Sequence, residues 1–187
     1  MPSHALLNWQ TFGLIRLAEI EQQCSTSEVA GPTGLAEENL RGSVMHRSAH
    51  FQKVCRDLYS ECVQVLVSSV PDAVQVVVQL QAMSDIQLIA ANPKYETICH
   101  DFERFGIAIR NKLKADPANA LRITHLDQLN AWRNYCAHRK DIPPVGAGGP
   151  LSLALVRTWQ DSCSGFIASV DGIMYNKLSK MIGAPPW

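Results

Sequence analysis

Apolar residues recur at helical spacing through the first half of the chain. The pattern predicts one amphipathic helix over about residues 4–24, interrupted by Gly13, and a longer one over about residues 37–69, stopped by Pro71. Residues 25–35 are rich in Ser, Thr, Gly and Pro and are predicted to form a loop. The longer helix carries an apolar stripe of Phe51, Val54, Cys55, Leu58, Cys62, Val65 and Leu66.

The second half continues the helical pattern with more interruptions. We expect helices over about residues 71–91, 95–105, 124–140 and 151–182, with a Pro/Gly-rich loop at 142–150. The valines at 74–78 also suit a strand, but no other segment has a matching pattern with which it could pair. Residues 106–123 are ambiguous and suggest a partly exposed connection. Thr124 and Asp127 resemble a capping box at the start of the helix over 124–140.

These elements predict an all-α fold, an antiparallel bundle of about five or six helices. The chain has 187 residues, a suitable length for a single domain, and shows no internal repeat. Asn92-Pro93 and the loop at 142–150 are the main breaks within it.

Composition narrows the possible functions. Seventeen basic residues balance seventeen acidic ones, which argues against nonspecific coating of nucleic acid but allows a local phosphate site. No apolar run approaches the roughly 18 residues of a membrane span, and the N-terminus lacks the pattern of a signal peptide. We therefore expect a cytoplasmic protein with no membrane partner. Its six cysteines form no CxxC pair and are expected to be reduced and buried.

The candidate chemistry lies late in the helix over 124–140. Arg133, Asn134 and His138 fall within an arc of roughly 140° on that helix, while Trp132 and Cys136 point the other way with Leu129. A guanidinium binds phosphate oxygens through a planar fork, and an imidazole exchanges protons near neutral pH. Asn134 and His138 are four residues apart, so the amide is able to orient the imidazole or the substrate. This set suits RNA cleavage.

Each of these residues also has a structural interpretation. A histidine near a helix C-terminus complements the helix dipole, and Arg133 could pair with Asp127 or Asp57. Tyr135 suits either core packing or stacking on a base. The histidines and cysteines show no paired ligand spacing, so we predict neither a metal site nor a cofactor.

Further residues are weaker candidates for substrate binding. His50 and Asp57 lie along one edge of the apolar stripe of the long helix, where polar groups can reach into a cleft. An ordinary solvated helix flank is the other interpretation of these two residues. Arg139 and Lys140 extend the positive charge beyond His138, either to hold flanking phosphates or as a solvated helix end.

Several blocks of sequence resemble a known family. Arg133-Asn134 followed after three residues by His138 resembles the signature of HEPN-domain ribonucleases. The blocks Ser48-Ala49-His50-Phe51-Gln52, Asn92-Pro93 and Phe105-Gly106-Ile107 are similar to the RiboL-PSP-HEPN branch of that superfamily. The resemblance spans about residues 40–159.

The resemblance implies metal-independent cleavage of RNA that leaves a 2′,3′-cyclic phosphate. Relatives are generally homodimers with a composite cleft, and many are toxins or antiviral effectors, so an antitoxin or a defence-system protein is a possible partner. Where relatives often carry an acidic residue, this chain has Gln52. The alternative is a non-catalytic HEPN-like interaction module that binds a partner protein, a nucleotide or RNA.

Overall fold

The computed structural model describes residues 1–30, 33–138 and 143–187, without the side chains of residues 27–30 and 33. Within these residues the chain is helical and contains no strand, so the all-α prediction is confirmed. The elements are α1 (His4–Asn8), a π-helical turn (Trp9–Gly13), α2 (Leu14–Ala30), α3 (Thr33–Ser68), α4 (Asp72–Met83), α5 (Gln87–Ala90), α6 (Tyr95–Glu103), α7 (Ile109–Ala115), α8 (Pro117–His138) and α9 (Leu153–Ile182).

Helix α3 is the central element of the bundle. It packs against α2, α8 and α9, and also contacts α1 and α4. Its apolar side contributes fully buried Phe51 and Leu58, which join Trp159 and Phe166 of α9 in one continuous core. Burial of large apolar side chains is the main force that holds such helices together, because short helices are marginal in water.

The predicted loop at residues 25–35 is wrong in the residues that the structure describes, because 25–30 belong to α2 and 33–35 to α3. Helix α2 continues through Ser25 and Thr26 to Ala30. Each hydroxyl bonds back to a carbonyl four residues earlier, Ser25 Oγ to Glu21 O at 3.1 Å and Thr26 Oγ1 to Gln22 O at 2.9 Å. Ser and Thr therefore satisfy their polar groups within the helix instead of breaking it.

The helix predicted to run to residue 91 ends earlier. Helix α4 stops at Met83, and the short helix α5 follows over Gln87–Ala90. Between them Asp85 adopts φ 51°, a left-handed conformation that does not continue a helix. The valine-rich segment at 74–78 is nevertheless helical, as predicted.

Helix α8 begins earlier than the sequence pattern suggested. It starts at Pro117, and Asp116 Oδ1 accepts a hydrogen bond of 3.0 Å from Ala118 N. Proline suits a first helical position because its missing N–H has no partner there anyway. The capping box at Thr124 is wrong, since Thr124 Oγ1 bonds to Ala120 O inside the helix. Helix α7 also lies in the segment expected to be a connection.

The final helix is uninterrupted. Ser152 Oγ caps its start by accepting from Leu155 N, and Gly183 ends it with a left-handed φ of 72°. Within it, the Arg122 side chain of α8 lies directly against Gly165, because a Cβ at that position would be 2.4 Å from Arg122 Nε. A side chain at this position would have to displace the Arg122 guanidinium, which packs between α8 and α9.

The cysteines are all free thiols, and five of the six are buried. Cys136 is half-buried. Burial raises the pKa of Cys99 to about 11. These thiols behave as small apolar side chains in the core.

In the part of the chain that the structure describes, no helix has the length and apolar character needed to traverse a bilayer.

Candidate functional site

Helix α8 carries the predicted site residues at its C-terminal end. Its inner face buries Leu126 and Leu129 in the core. Arg133 lies seven and four residues beyond these two and only about 40° from Leu129 around the helix. It therefore follows the buried stripe more closely than the sequence pattern suggested, between buried Trp132 and Tyr135. The Arg133 side chain is half-buried. A cation is thus held at the edge of the apolar interior, where solvent screens its charge less than in open water.

The side-chain amide of Asn134 is fixed from two sides. Its Oδ1 accepts a hydrogen bond of 3.0 Å from Asn92 Nδ2 and one of 3.2 Å from Arg133 Nη1. Within the described residues Arg133 has no carboxylate partner, and its other guanidinium donors remain unused. The pairing with Asp127 or Asp57 that the sequence left open is not present in that part of the chain. The guanidinium therefore has donors to offer an anion.

Asn92 belongs to a turn, residues 91–93, that side-chain amides hold in place. Gln52 Nε2 of α3 donates to Ala91 O at 2.8 Å and to Leu88 O at 3.2 Å. Asn130 Nδ2 of α8 makes a longer contact of 3.4 Å with Pro93 O. We call the three side-chain amides of Gln52, Asn130 and Asn134 the amide clamp. It fixes the turn against both α3 and α8.

The start of α5 is anchored as firmly as its end. Fully buried Asp101 accepts from Gln87 N at 3.1 Å and from Leu88 N at 2.7 Å. These are the first backbone donors of α5, which a carboxylate satisfies well. Asp101 and Gln52 therefore position the short helix that leads into Asn92.

His138 lies at the end of the described part of α8 and is exposed. It follows Arg133 by five residues, so the two Cα atoms lie about 7.5 Å apart along the axis and about 140° apart around it. Among the described residues His138 makes no hydrogen bond or ion pair. Arg139 and Lys140, both predicted to bind substrate, lie outside the described residues.

The structure places His50 and Asp57 together, but on another face of the bundle. Both line a pocket of about 380 Å³ that α3 forms with the first two helices and the π-helical turn. None of Arg133, Asn134 and His138 lines that pocket. On α3, His50 and Gln52 are about 160° apart, so the pocket and the amide clamp occupy opposite sides of the helix. A role for His50 and Asp57 in substrate binding stays a prediction.

His50 has a shifted proton affinity in this pocket. Partial burial lowers the pKa of His50, and the positive charges of His46, Arg16 and Lys53 lower it further. Asp57, the acidic residue of the pocket, pairs with Lys53 at 2.5 Å. The pocket therefore has a positive electrostatic environment.

Tyr135 is a buried side chain, exposed over only 8% of its surface. Its ring lies edge-on to Trp132 with centroids 5.2 Å apart, and the Arg41 guanidinium lies 5.3 Å above it. Trp132 Nε1 donates to Ala147 O at 3.0 Å, which ties the loop before α9 to α8. Of its two interpretations, core packing is the one that the structure supports for Tyr135.

Two residues of the amide clamp and its turn were not recognised from the sequence as site residues. Asn92 was noted for the break in the chain and as part of a block that carries the family resemblance, but it was given no role at the site, and Asn130 was not considered. A signal was available for Asn130, because it precedes Asn134 by one helical turn and so presents a second amide on that face. The partner of Asn92 depends on tertiary packing.

The described residues contain no group of three or more His, Cys, Asp or Glu side chains arranged to hold a metal ion.

Comparisons with models of known protein families, with curated proteins and with solved structures gave no match. The function must therefore be argued from the residues themselves.

Proposed function

We propose that this protein is a HEPN-type endoribonuclease that cleaves RNA without a metal ion. The observation that carries the proposal is the state of Arg133. Its guanidinium is half-buried at the end of α8, is bound to the amide of Asn134, and has no carboxylate partner among the described residues. A partly buried cation whose other N–H donors are unused among the described residues, five residues before an exposed histidine, suits a phosphate that undergoes proton transfer.

Arg133 binds the scissile phosphate in this mechanism. A guanidinium presents paired N–H donors to two phosphate oxygens and keeps its charge at any pH relevant to the reaction. Negative charge on those oxygens increases as the 2′-oxygen attacks phosphorus, so the attraction is stronger in the transition state. The amide of Asn134 limits rotation of the guanidinium by accepting one of its N–H groups.

His138 transfers protons. The 2′-hydroxyl loses its proton and attacks phosphorus, the bond from phosphorus to the 5′-oxygen breaks, and that oxygen takes up a proton. The products are a 2′,3′-cyclic phosphate and a 5′-hydroxyl. One imidazole can serve as base or acid, and a homodimer with two His138 rings in one cleft would supply both.

The test is cleavage of RNA by the purified chain in excess chelator. We expect cyclic phosphate ends, and a loss of roughly 100- to 10,000-fold in rate for His138→Ala. Arg133→Ala should lose activity on a similar scale, because the transition-state charge is then uncompensated. His4→Ala and Lys114→Ala change an exposed histidine and an exposed lysine elsewhere and serve as matched controls. A folded His138→Ala protein that cuts RNA at the parent rate would overturn the proposal.

One observation favours the alternative of a non-catalytic HEPN-like interaction module. Helix α4 has no buried residue, and Val76, Val77 and Leu80 are each about two-thirds exposed. Adjacent exposed apolar side chains mark interaction surfaces. If the parent protein cuts no RNA and does not slow growth when expressed without an antitoxin, this function replaces the first.

A further inference from the structure

The π-helical turn at Trp9–Gly13 shapes one wall of the pocket that contains His50. Leu14 N donates to Trp9 O, five residues back, which defines the π turn. Such a turn inserts one extra residue into a helix and is often found at functional sites. Gly13 permits it, because a Cβ there would approach Trp9 Cε3 to 3.1 Å. The Trp9 ring itself is buried, and its Nε1 donates to Ser164 Oγ at 3.1 Å.

The same segment leaves an aromatic ring uncovered at the pocket. Phe12 lines the pocket and is 68% exposed. Arg16 follows it by four residues, so the ring and the guanidinium lie on one side of the same helical segment. An exposed aromatic face beside a cation is suited to a ligand that combines a flat ring with a separate anionic group, the ring against Phe12 and the anion at Arg16.

The charges of the pocket are unbalanced. Arg16, His50 and Lys53 line it with a single acidic residue, Asp57, which already pairs with Lys53. Arg16 is exposed and has no ion-pair partner among the described residues. This leaves one permanent cation, Arg16, and an imidazole that can donate a hydrogen bond, because the lowered pKa of His50 disfavours its charged form. A phosphate monoester carries about −1.5 to −2 charges at neutral pH and has three acceptor oxygens, so it can pair with the guanidinium and accept from the imidazole at once, which suits it better than a carboxylate.

We propose that this pocket binds a small aromatic phosphate monoester, with its ring against Phe12 and its phosphate between Arg16 and His50. The volume of about 380 Å³ lies within the range of small-molecule sites, near the lower end. Because none of Arg133, Asn134 and His138 lines the pocket, the site is separate from the one proposed for RNA cleavage and does not depend on it.

Calorimetric titration of the full chain tests the proposal with four probes. Phenyl phosphate carries the minimal chemistry, adenosine monophosphate represents nucleotides, and inorganic phosphate and benzoate each lack one feature. We expect phenyl phosphate or the nucleotide to bind at least about 10-fold more tightly than inorganic phosphate and benzoate, because only they combine a ring with a dianion. The tighter of the two shows whether the site serves nucleotides or simpler aryl phosphates.

Variants locate the bound ligand. Arg16→Gln should weaken binding by roughly 10-fold or more, and Phe12→Ala by at least about 5-fold. Both side chains are exposed, so the fold should survive, as circular dichroism would verify. Lys114→Gln removes an exposed cation elsewhere and should leave affinity unchanged, as should Arg133→Ala.

Three results would overturn the proposal. One is the absence of binding by both phosphate monoesters at millimolar concentration. Another is binding that Arg16→Gln and Phe12→Ala leave unchanged. The third is binding that Arg133→Ala abolishes, because the ligand would then occupy the other site.

Discussion

At the scale of single residues, two hydrogen bonds fix the orientation of the Asn134 side-chain amide. Asn134 accepts from both Asn92 and Arg133, so its Oδ1 links the turn before α6 to the guanidinium. A side-chain amide that faces two donors cannot rotate without losing both bonds. Arg133 is therefore positioned through a contact that lies outside its own helix.

Removing the amide of Asn92 tests this link. Asn92→Ala removes one of the two donors that orient Asn134 and leaves it held by Arg133 alone, so we expect kcat for RNA cleavage to fall roughly 3- to 10-fold, the usual worth of one hydrogen bond. KM should change little, since the phosphate contact itself remains. Steady-state kinetics on a short RNA would separate the two effects. Asn111→Ala alters an exposed asparagine on α7 and is the control, and equal kcat values for both variants would contradict the prediction.

The lowered pKa of His50 predicts a dependence of stability on pH. Because the unfolded imidazole binds its proton more readily than the folded one, the unfolded state takes up more protons as the pH falls. His50 therefore leaves the free energy of unfolding unchanged above its unfolded pKa of about 6.5 and lowers it as the pH falls below that value. Denaturant melts between pH 7.5 and pH 5 should show a smaller loss of stability for His50→Gln than for the parent. His4→Gln is the control, and parallel curves for parent and His50→Gln would contradict the prediction.

At the scale of elements, hydrophobic periodicity predicted the helical class and the long helices correctly. Helices α3 and α9 match the expected segments within a few residues at each end, because long apolar stripes determine which face is buried. The errors lie at residue types that are common in loops but also occur within helices or at their ends. Ser25 and Thr26 suggest a loop by composition but bond to their own helix, and Pro117 starts a helix that the pattern placed later.

The candidate site was less predictable than the fold. The spacing of Arg133, Asn134 and His138 follows from helix geometry alone and is preserved in the structure. The contact between Asn134 and Asn92 joins residues 42 positions apart, and no local pattern indicates it. His50 was grouped with the site by its place on the apolar stripe, but the π-helical turn and α2 enclose it in a separate pocket.

The two glycines of α9 should respond in opposite ways to alanine. Gly172 has open space around it, so Gly172→Ala should stabilise the fold by about 0.5–1 kcal/mol through helix propensity. A Cβ at Gly165 would displace Arg122, which bonds to Asn119 and Ser169. Gly165→Ala should therefore cost about 1–2 kcal/mol. Chemical denaturation of both variants measures the difference, and a similar gain in stability for both would contradict this packing.

At the scale of the whole molecule, charge is balanced overall and uneven locally. Seventeen basic and seventeen acidic residues give no net charge, yet Arg133 and the pocket around Arg16 each present a cation that has no acidic partner among the described residues. Attraction of RNA must then come from a few local contacts rather than from the general field of the protein.

The salt dependence of RNA binding should reflect these few contacts. For the His138→Ala variant, which should bind RNA without cleaving it, we expect log affinity to fall with log salt at a slope of about −1 to −3, as for a few phosphates on a single strand. Arg133→Gln should flatten the slope by about 0.7. Fluorescence anisotropy across a salt series gives both values. A slope near −10, typical of an extended basic surface, would contradict the prediction.

The bond pattern of Gln52 has a consequence for the chemical ageing of the protein. Its nitrogen donates to two backbone carbonyls, at 2.8 and 3.2 Å, which the carboxylate of a glutamate cannot do at neutral pH. Hydrolysis of this amide, in which water replaces the nitrogen and ammonia leaves, would set a carboxylate against the same two carbonyls and repel them. A stored sample altered in this way would have almost the original mass, but α5 and the turn after it would lose both side-chain hydrogen bonds to Gln52 of α3.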